Sequence, residues 1–476
     1  MKRLTALGAL ALLGGCNMQP TYNRPAPAIP QGWPAGDAYL RQSEAALPAV
    51  SYRDIFRDAH LQTIIEHALA NNQDLRVALA NVASARAQAR VAKADIFPQL
   101  NGSARSTTNH SGALSSNATP GGGGQTSRNY AVQAGVSSFE IDLFGRLQSL
   151  NDAAFDEYLG TEAALRAARL TLVAEVANAY LTLASDRSLL AIASDTEASA
   201  ARSVELTGAR LKGGIAPRTD LRQAETVLEQ ARADKAQLTA QIAQDRNALE
   251  LLVGAKVDDS DLPPSIEAID GLLSELPAGL DSQILLRRPD VVQAEYGLRA
   301  ANARIGAARA AFFPTITLTS FAGLASSTLS NLFTGGAFSW QVAPQATVPI
   351  FDAGRNAGNL QYAKAQRDLA TAQYQKAIQS AFTDVADALA RRGTIDDQFK
   401  ANSASVDAAS DTLTLTDALY RHGVNSYLDL LVAQRTLYQS RQTLAATRLT
   451  RALNLVALYR ALGGDQLVDT MAPPRR

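Results

Sequence analysis

Few residues in this 476-residue chain could do covalent or metal chemistry, and they are scattered. The single cysteine, Cys16, excludes an internal disulfide and leaves one thiol able to carry a covalent group. Four histidines (His60, His67, His110 and His422) stand without metal-ligand spacing. The run Gly121 to Gly124 lacks the lysine, strand and helix that a phosphate-binding loop needs. Without a nucleophile elbow or ligand set, no enzyme, cofactor or metal centre is expected. Balanced charge, with 45 basic and 45 acidic residues, argues against nucleic acid as a partner. Two carboxylates stand out by position. Asp220 and Asp429 follow the turn glycines Gly214 and Gly423 in two similar stretches, LTGARLKGGIAPRTDLRQAETVL and LTDALYRHGVNSYLDLLVAQRTL. Each begins a returning helix, where a carboxylate caps the first turn and complements the helix dipole.

Cys16 follows a short leader. Lys2 and Arg3 give a charged start, Leu4 to Leu13 an apolar core, and Leu13-Gly14-Gly15-Cys16 small residues before the thiol. Residues 1–15 read as a signal peptide. The Leu-Gly-Gly-Cys end resembles the lipobox of bacterial lipoproteins, whose cysteine is acylated and becomes the first mature residue. The other reading is an ordinary secretory signal with an incidental cysteine. A lone cysteine at the cleavage point, before a polar proline-rich stretch, favours acylation. Each buried methylene contributes about 0.8 kcal/mol, so several acyl chains anchor firmly. Asn17 at the next position, rather than aspartate, fits passage of such lipoproteins to the outer membrane. No later stretch offers eighteen consecutive apolar residues, so a bilayer crossing would not use an apolar helix.

The two similar stretches belong to a longer repeat. Leu206, Thr207, Ala209, Gly214, Asp220, Leu221, Ala224 and Leu228 recur as Leu415, Thr416, Ala418, Gly423, Asp429, Leu430, Ala433 and Leu437, each 209 positions on. Gly145-Arg146 and Gly354-Arg355 keep the same offset, which signals internal duplication. The organisation read from this is a lipidated extended arm over 16–57, a first repeat over 58–254, a linker or equatorial region over 255–284, a second repeat over 285–463 and a tail over 464–476. Proline is absent between Arg146 and Leu211 and between Arg355 and Tyr420. Helices of ~65 residues would each reach roughly 100 Å. Val176, Leu183, Leu190, Val204 and Leu211 share a heptad spacing broken by Glu197, and Val385, Phe399, Val406, Leu413 and Tyr420 share one broken by Arg392. Sustained heptads call for supercoiled partners, found in the helices after each turn. The expected long helical hairpins are 143–253 and 352–462, with tips at Gly213-Gly214 and His422-Gly423, remote from the strands.

Each repeat also carries a β-hairpin, over 99–138 and 314–348, preceded by a helix; the first helix is expected over 58–96. Tyr130, Val132, Ala134 and Val136 alternate with small or polar residues, as do Ile316 and Leu318, then Phe338, Trp340 and Val342. Pro344 marks a bend or an unpaired amide. Four strands cannot close a barrel, and an open edge is not tolerated in hydrocarbon. Eight strands fill their own interior, whereas three copies would supply twelve and leave a lumen. The alternative is a soluble four-stranded sheet. Threonine, serine and glutamine on one face, with Tyr130, Phe338 and Trp340 on the other, suit a wet lumen and an aromatic girdle.

LLRRPDVVQAE over Leu285–Glu295, AANARIGAARAAFFP over Ala300–Pro314, PIFDAGR over Pro349–Arg355 and the Cys16 lipobox resemble the outer membrane efflux lipoprotein family, TolC-like channels of the OprM and NodT type. The resemblance covers essentially the whole mature chain. It implies an α+β membrane protein: a homotrimer whose twelve-stranded barrel, four strands per chain, continues into a twelve-helix periplasmic tunnel. It also implies a location in the outer membrane of a Gram-negative bacterium, lipid-anchored and extending into the periplasm. The partners implied are a periplasmic adaptor and an inner-membrane transporter of the resistance-nodulation-division type. Tyr420 and Asp429 match family gating positions, Leu428 matches an apolar constriction, and Asp220 is the counterpart of Asp429 in the first repeat. Gly213, Gly214, Gly423 and Val424 lie in turns that resemble adaptor-contact tips. Val432 departs from the pattern, because members often carry a second aspartate there, and Asn425 stands where some have arginine. Three Asp429 side chains around an axis would repel one another and attract cations, though less strongly than a doubly acidic gate.

Two other classes remain. A coiled-coil lipoprotein spacing two membranes would not need hairpins with opposite wet and greasy faces. A duct for metal ions or secreted peptides and polymers stays within transport, but only three methionines and four histidines leave little trail for a metal. Small organic molecules are the favoured cargo.

Overall fold

A computed structural model describes residues 17–27, 29–30, 51–112, 125–269 and 282–464. The signal peptide, Cys16, the arm over 31–50, the glycine run 121–124, linker residues 270–281 and the tail from 465 lie outside the described residues. The helices are α1 (Tyr52–Ile55), α2 (Ala59–Asn71), α3 (Gln73–Ala94), α4 (Arg146–Lys212), α5 (Arg218–Val253), α6 (Ile266–Ile269), α7 (Pro289–Ala310), α8 (Arg355–Arg421) and α9 (Tyr427–Ala461). The strands are β1 (Leu100–Ser111), β2 (Gln125–Ile141), β3 (Thr315–Ser326) and β4 (Phe338–Thr347). Among the described residues, no helix is long and apolar enough to cross a membrane. Contacts divide the chain into two units, one of residues 1–25, 82–161 and 294–374, the other of 26–81, 162–293 and 375–476.

The first unit holds one antiparallel sheet in the order β1-β2-β3-β4. The hairpins of the two repeats thus join through β2 and β3. Residues facing one another across the ladder share a face. One face carries the rows Leu100-Val136-Ser320-Val342, Gly102-Ala134-Ala322-Trp340 and Ala104-Val132-Leu324-Phe338. The other carries Asn101-Gly135-Phe321-Gln341 and Ser103-Gln133-Gly323-Ser339. Trp340 and Phe338 on the greasy face are 69% and 64% exposed, so among the described residues this face has no cover. Gly135 is required where β2 meets β3, because a Cβ there would collide with the backbone of Ser320 and with Phe321. Pro344 lies within β4 opposite Leu318 rather than at a bend. β4 is an edge of the sheet, where a missing amide is tolerated.

β2 runs beyond the alternation read from sequence because a bulge changes its parity. Ser137 and Ser138 stand opposite Thr319 alone, with Ser138 at φ 57° and its amide donating to Thr319 Oγ1 at 3.2 Å. Beyond it Phe139 and Ile141, at odd positions, return to the greasy face beside Leu318 and Ile316.

The start of the arm is strapped to α7 in this unit. Asn302 Nδ2 donates to Pro20 O at 2.8 Å, and Gly306 leaves room for Gln19, whose Cα would lie 2.8 Å from an added Cβ. Arg24 and Arg299 pair with buried Glu295, both at 2.6 Å, and Tyr22 joins them at 3.3 Å. Burial first, and then the Glu295 charge, push the Tyr22 phenol up to about 12. The arm is not extended to its end: Ser51 and Asp54 form a capping box on α1, which buries Tyr52 and Ile55. The expected helix over 58–96 is also divided. Asn72 leaves helical geometry at ψ 132°, caps the Leu75 amide at 2.9 Å and donates to Leu252 O at 2.8 Å.

The second unit holds two helical hairpins, α4–α5 and α8–α9, from residue 162 of α4 and residue 375 of α8 onward. α4 and α8 are both 67 residues long and start 209 positions apart, at 146 and 355. Val176, Leu183 and Val385 of the heptad stripes are buried. At each break in the stripe an ion pair replaces the apolar contact. Glu197 of α4 binds Lys235 and Arg232 of α5, at 2.8 and 3.4 Å. Arg392 of α8 binds Asp396 at 2.9 Å, and Asp396 binds Arg451 of α9 at 2.9 Å. Between the hairpins, Tyr438 of α9 donates to Asp234 of α5 at 2.6 Å. Buried Arg288 of the RRPD segment holds the end of α9 through Ala461 O at 2.8 Å and pairs with Asp290 and Asp384.

Candidate functional site

The two turns that end α4 and α8 follow one plan. Gly214 and Gly423 take left-handed φ of 73° and 76°, which a side chain would strain. The amides of Ile215 and Val424 return to the carbonyls of Arg210 and Leu419, at 3.0 and 2.9 Å. Ile215 and Val424 are left 76% and 70% exposed at the tips, an apolar pair 209 positions apart. Gly213 precedes the turn glycine and donates to Ala209 O at 3.0 Å.

Behind the second turn sits a small core. Tyr420 and Tyr427 meet edge to face with centroids 5.6 Å apart, packed with Ala224, Leu430 and Leu431. Arg210 of α4 stacks 4.2 Å over the Tyr420 ring and donates to Tyr420 O and Arg421 O, at 3.2 and 3.3 Å. A guanidinium therefore satisfies the last carbonyls of α8 and complements the negative end of its dipole. Tyr420 is 3% exposed, so its ring reaches the tip through packing rather than by facing solvent. Burial first, then the neighbouring Tyr420 and Asp220, push the Tyr427 phenol up to about 12.

The aspartates differ. Asp429 is exposed and forms a capping box: its carboxylate accepts from Ser426 N at 3.1 Å and Oγ at 2.8 Å, and Ser426 Oγ accepts from Asp429 N at 3.3 Å. Asp220 has Pro217 where Asp429 has Ser426, and no side-chain cap forms. Leu428 and Val432 lie one turn apart on α9, 56% and 55% exposed. A cleft of about 320 Å³ runs beside this core, lined in part by Arg202, Leu413, Asp417, Tyr420, Arg421 and Gln434. Arg421 is tied to Asp417 at 2.7 Å. The structure thus gathers Tyr420, Leu428 and Asp429 on one hairpin end and puts Asp220 near Tyr427.

The family model for outer membrane efflux protein matches residues 64–255 and 280–464, most of the chain and both repeats. The chain belongs to the outer membrane efflux protein family. Members of this family are efflux channels, not enzymes, and the chain is an outer membrane efflux channel protein. It is 43% identical to the solvent efflux pump outer membrane protein SrpC of Pseudomonas putida, over 97% of this chain and 98% of that one. A membrane protein from Pseudomonas aeruginosa solved by crystallography superposes with a TM-score of 0.87 at 39% identity, over 94% of this chain and all of that one. The open state of the MtrE outer membrane channel of Neisseria gonorrhoeae gives 0.81 at 36% identity, over 96% and 100%. The four-stranded sheet and the long helices are thus those of this channel fold.

One residue at the tips has no counterpart in the sequence pattern. Arg210 gave no signal, since its partners lie 210 and 211 positions away on another helix. Ile215 lies within the first tip turn, and the repeat offset maps it onto Val424.

Proposed function

We propose that three copies of this chain form the outer membrane exit duct of a tripartite pump. Each contributes four strands to a twelve-stranded barrel and four long helices to a periplasmic tunnel. The observation that carries this is the sheet: among the described residues one face is greasy and uncovered, the other is small and polar apart from Phe321, and β1 and β4 are open at their edges. Open edges cost several kcal/mol per unpaired amide in hydrocarbon, and joining β4 of one copy to β1 of the next removes them. The partners in this reading are a periplasmic adaptor that meets Ile215 and Val424 at the tips and an inner-membrane transporter of the resistance-nodulation-division type. The cargo is small hydrophobic or amphiphilic compounds, supported by the relative named for solvent efflux. Asp429, Leu428 and Tyr420, with Asp220 behind them, form the gate at the tunnel end. Cys16 carries the lipid, and the placement of Asn17 against Gly145, where β2 gives way to α4, supports an anchor beside the sheet.

Native mass spectrometry and planar-bilayer recording of the full-length protein in detergent test this together. Three copies and a small cation-selective current are expected. A single copy that passes no current even when Leu428 and Val432 are replaced by serine overturns the proposal. Cys16→Ser is expected to release the protein from tight membrane association; full retention with unchanged gel mobility contradicts the anchor.

A further inference from the structure

Two carboxylates meet where the first hairpin should be zipped. Asp186 on α4 and Asp245 on α5 are both half-buried, and Asp245 Oδ2 is shielded with no hydrogen-bond donor among the described residues. Its other oxygen accepts from Gln241 Nε2 at 2.9 Å. The cations beside them point elsewhere. Arg187 donates to Pro263 O at 2.7 Å, and Arg246 is taken by Glu250 and Asp259 at 3.2 and 2.5 Å. Of the charges on neighbouring elements, Glu267 of α6 is held by Ser188 and Arg448, both at 2.6 Å, and Glu66 of α2 by Arg53 at 2.7 Å. Two ionised carboxylates left in contact repel, and only a proton on one gives the shielded oxygen a donor. The second repeat avoids the repulsion, although Asn454 Oδ1 there is likewise shielded without a donor among the described residues. At the corresponding positions it places Ile395, fully buried, and Asn454, whose amide donates to Ala388 O at 3.0 Å.

We propose that Asp186 and Asp245 share one proton, and that losing it as pH rises loosens the α4–α5 hairpin around the pair. Burial first, then the hydrogen bond with Asp245 and its charge, push the Asp186 carboxyl up to about 6. A carboxyl raised above its ordinary 3.8 stabilises the hairpin fully below that value, and the contribution is lost as pH climbs through about 6. The window lies within the range a periplasmic or external surface meets. The pair would act on the first hairpin alone.

Hydrogen–deuterium exchange of the full-length protein at about pH 5 and about pH 8, corrected for intrinsic exchange, tests this against the second hairpin as internal reference. Protection at 180–190 and 240–250 is expected to fall about tenfold at the higher pH, while 389–399 and 449–459 hold steady. Asp245→Asn, which supplies an amide donor to Asp186, is expected to abolish the difference, and so is the double variant D186I/D245N, which copies the second repeat. An equal pH response in both hairpins, or one that persists in both variants, overturns the proposal. The readout needs no current, so failure of the duct reading leaves it standing.

Discussion

At the first tip Gly214 turns α4 into α5, and at the second Gly423 turns α8 into α9, with matching backbone hydrogen bonds at each. What surrounds the two turns differs. The second has a tyrosine pair, an arginine over it from the other repeat, and a serine–aspartate capping box. The first has Leu211 where the second has Tyr420, Pro217 where it has Ser426, and no side-chain cap. The duplicated backbone therefore carries one secured end and one lightly secured end. In the proposed gate, unequal halves would let one end move while the other keeps register, and the second tip is the better clamped.

Substitutions at matched positions bring that contrast to a measurement. Tyr420→Ala removes a ring that is 3% exposed and should lower the opening free energy of the second tip by about 3–5 kcal/mol, read by native-state hydrogen exchange. Leu211→Ala, at a half-buried position, should cost the first tip clearly less; equal losses would mean the two ends are equally secured. Arg210→Ala should come next, at about 1–2 kcal/mol, since it strips a cation–π contact and two carbonyl hydrogen bonds from the second tip. The loss should appear at Tyr420 and Arg421 although the mutated residue belongs to the first repeat. Ser426→Ala should destabilise the start of α9 by about 1 kcal/mol, and Pro217→Ser should stabilise the start of α5 by a similar amount, because Asp220 is already in place to complete a capping box. The smallest structural effect belongs to Asp220→Asn, which breaks no cap. Asp429→Asn, by contrast, should reduce cation selectivity in planar bilayers as well as weaken its cap. Unchanged selectivity would leave Asp429 with capping as its role.

Much of this was legible along the chain because it depends on local pattern. The long helices follow from proline-free stretches, the repeat from a constant offset, and the strand faces from alternation. The greasy rows around Trp340 and Phe338 are where alternation puts them. Pattern failed where a single backbone step changed the rule. Ser138 moves the apolar residues of β2 from even to odd positions, so alternation read as a strand end what is a bulge. Asn72 breaks a periodic run that holds no proline or glycine, its side chain capping the Leu75 amide and donating to Leu252 O. Glu197 and Arg392 read as interruptions of the heptad stripe, and each is instead half of an ion pair with a neighbour on another turn or helix.

Element type, repeat and strand polarity were set by the order of residues alone, because backbone sterics and burial of apolar side chains act over a few positions. Partner choice was not. That β2 zips to β3, that Arg210 closes the end of α8, and that Asp186 finds Asp245 across 59 positions all depend on which surfaces folding brings together. Charge and hydrogen bonding act through space with no period along the chain, so only the folded molecule shows them.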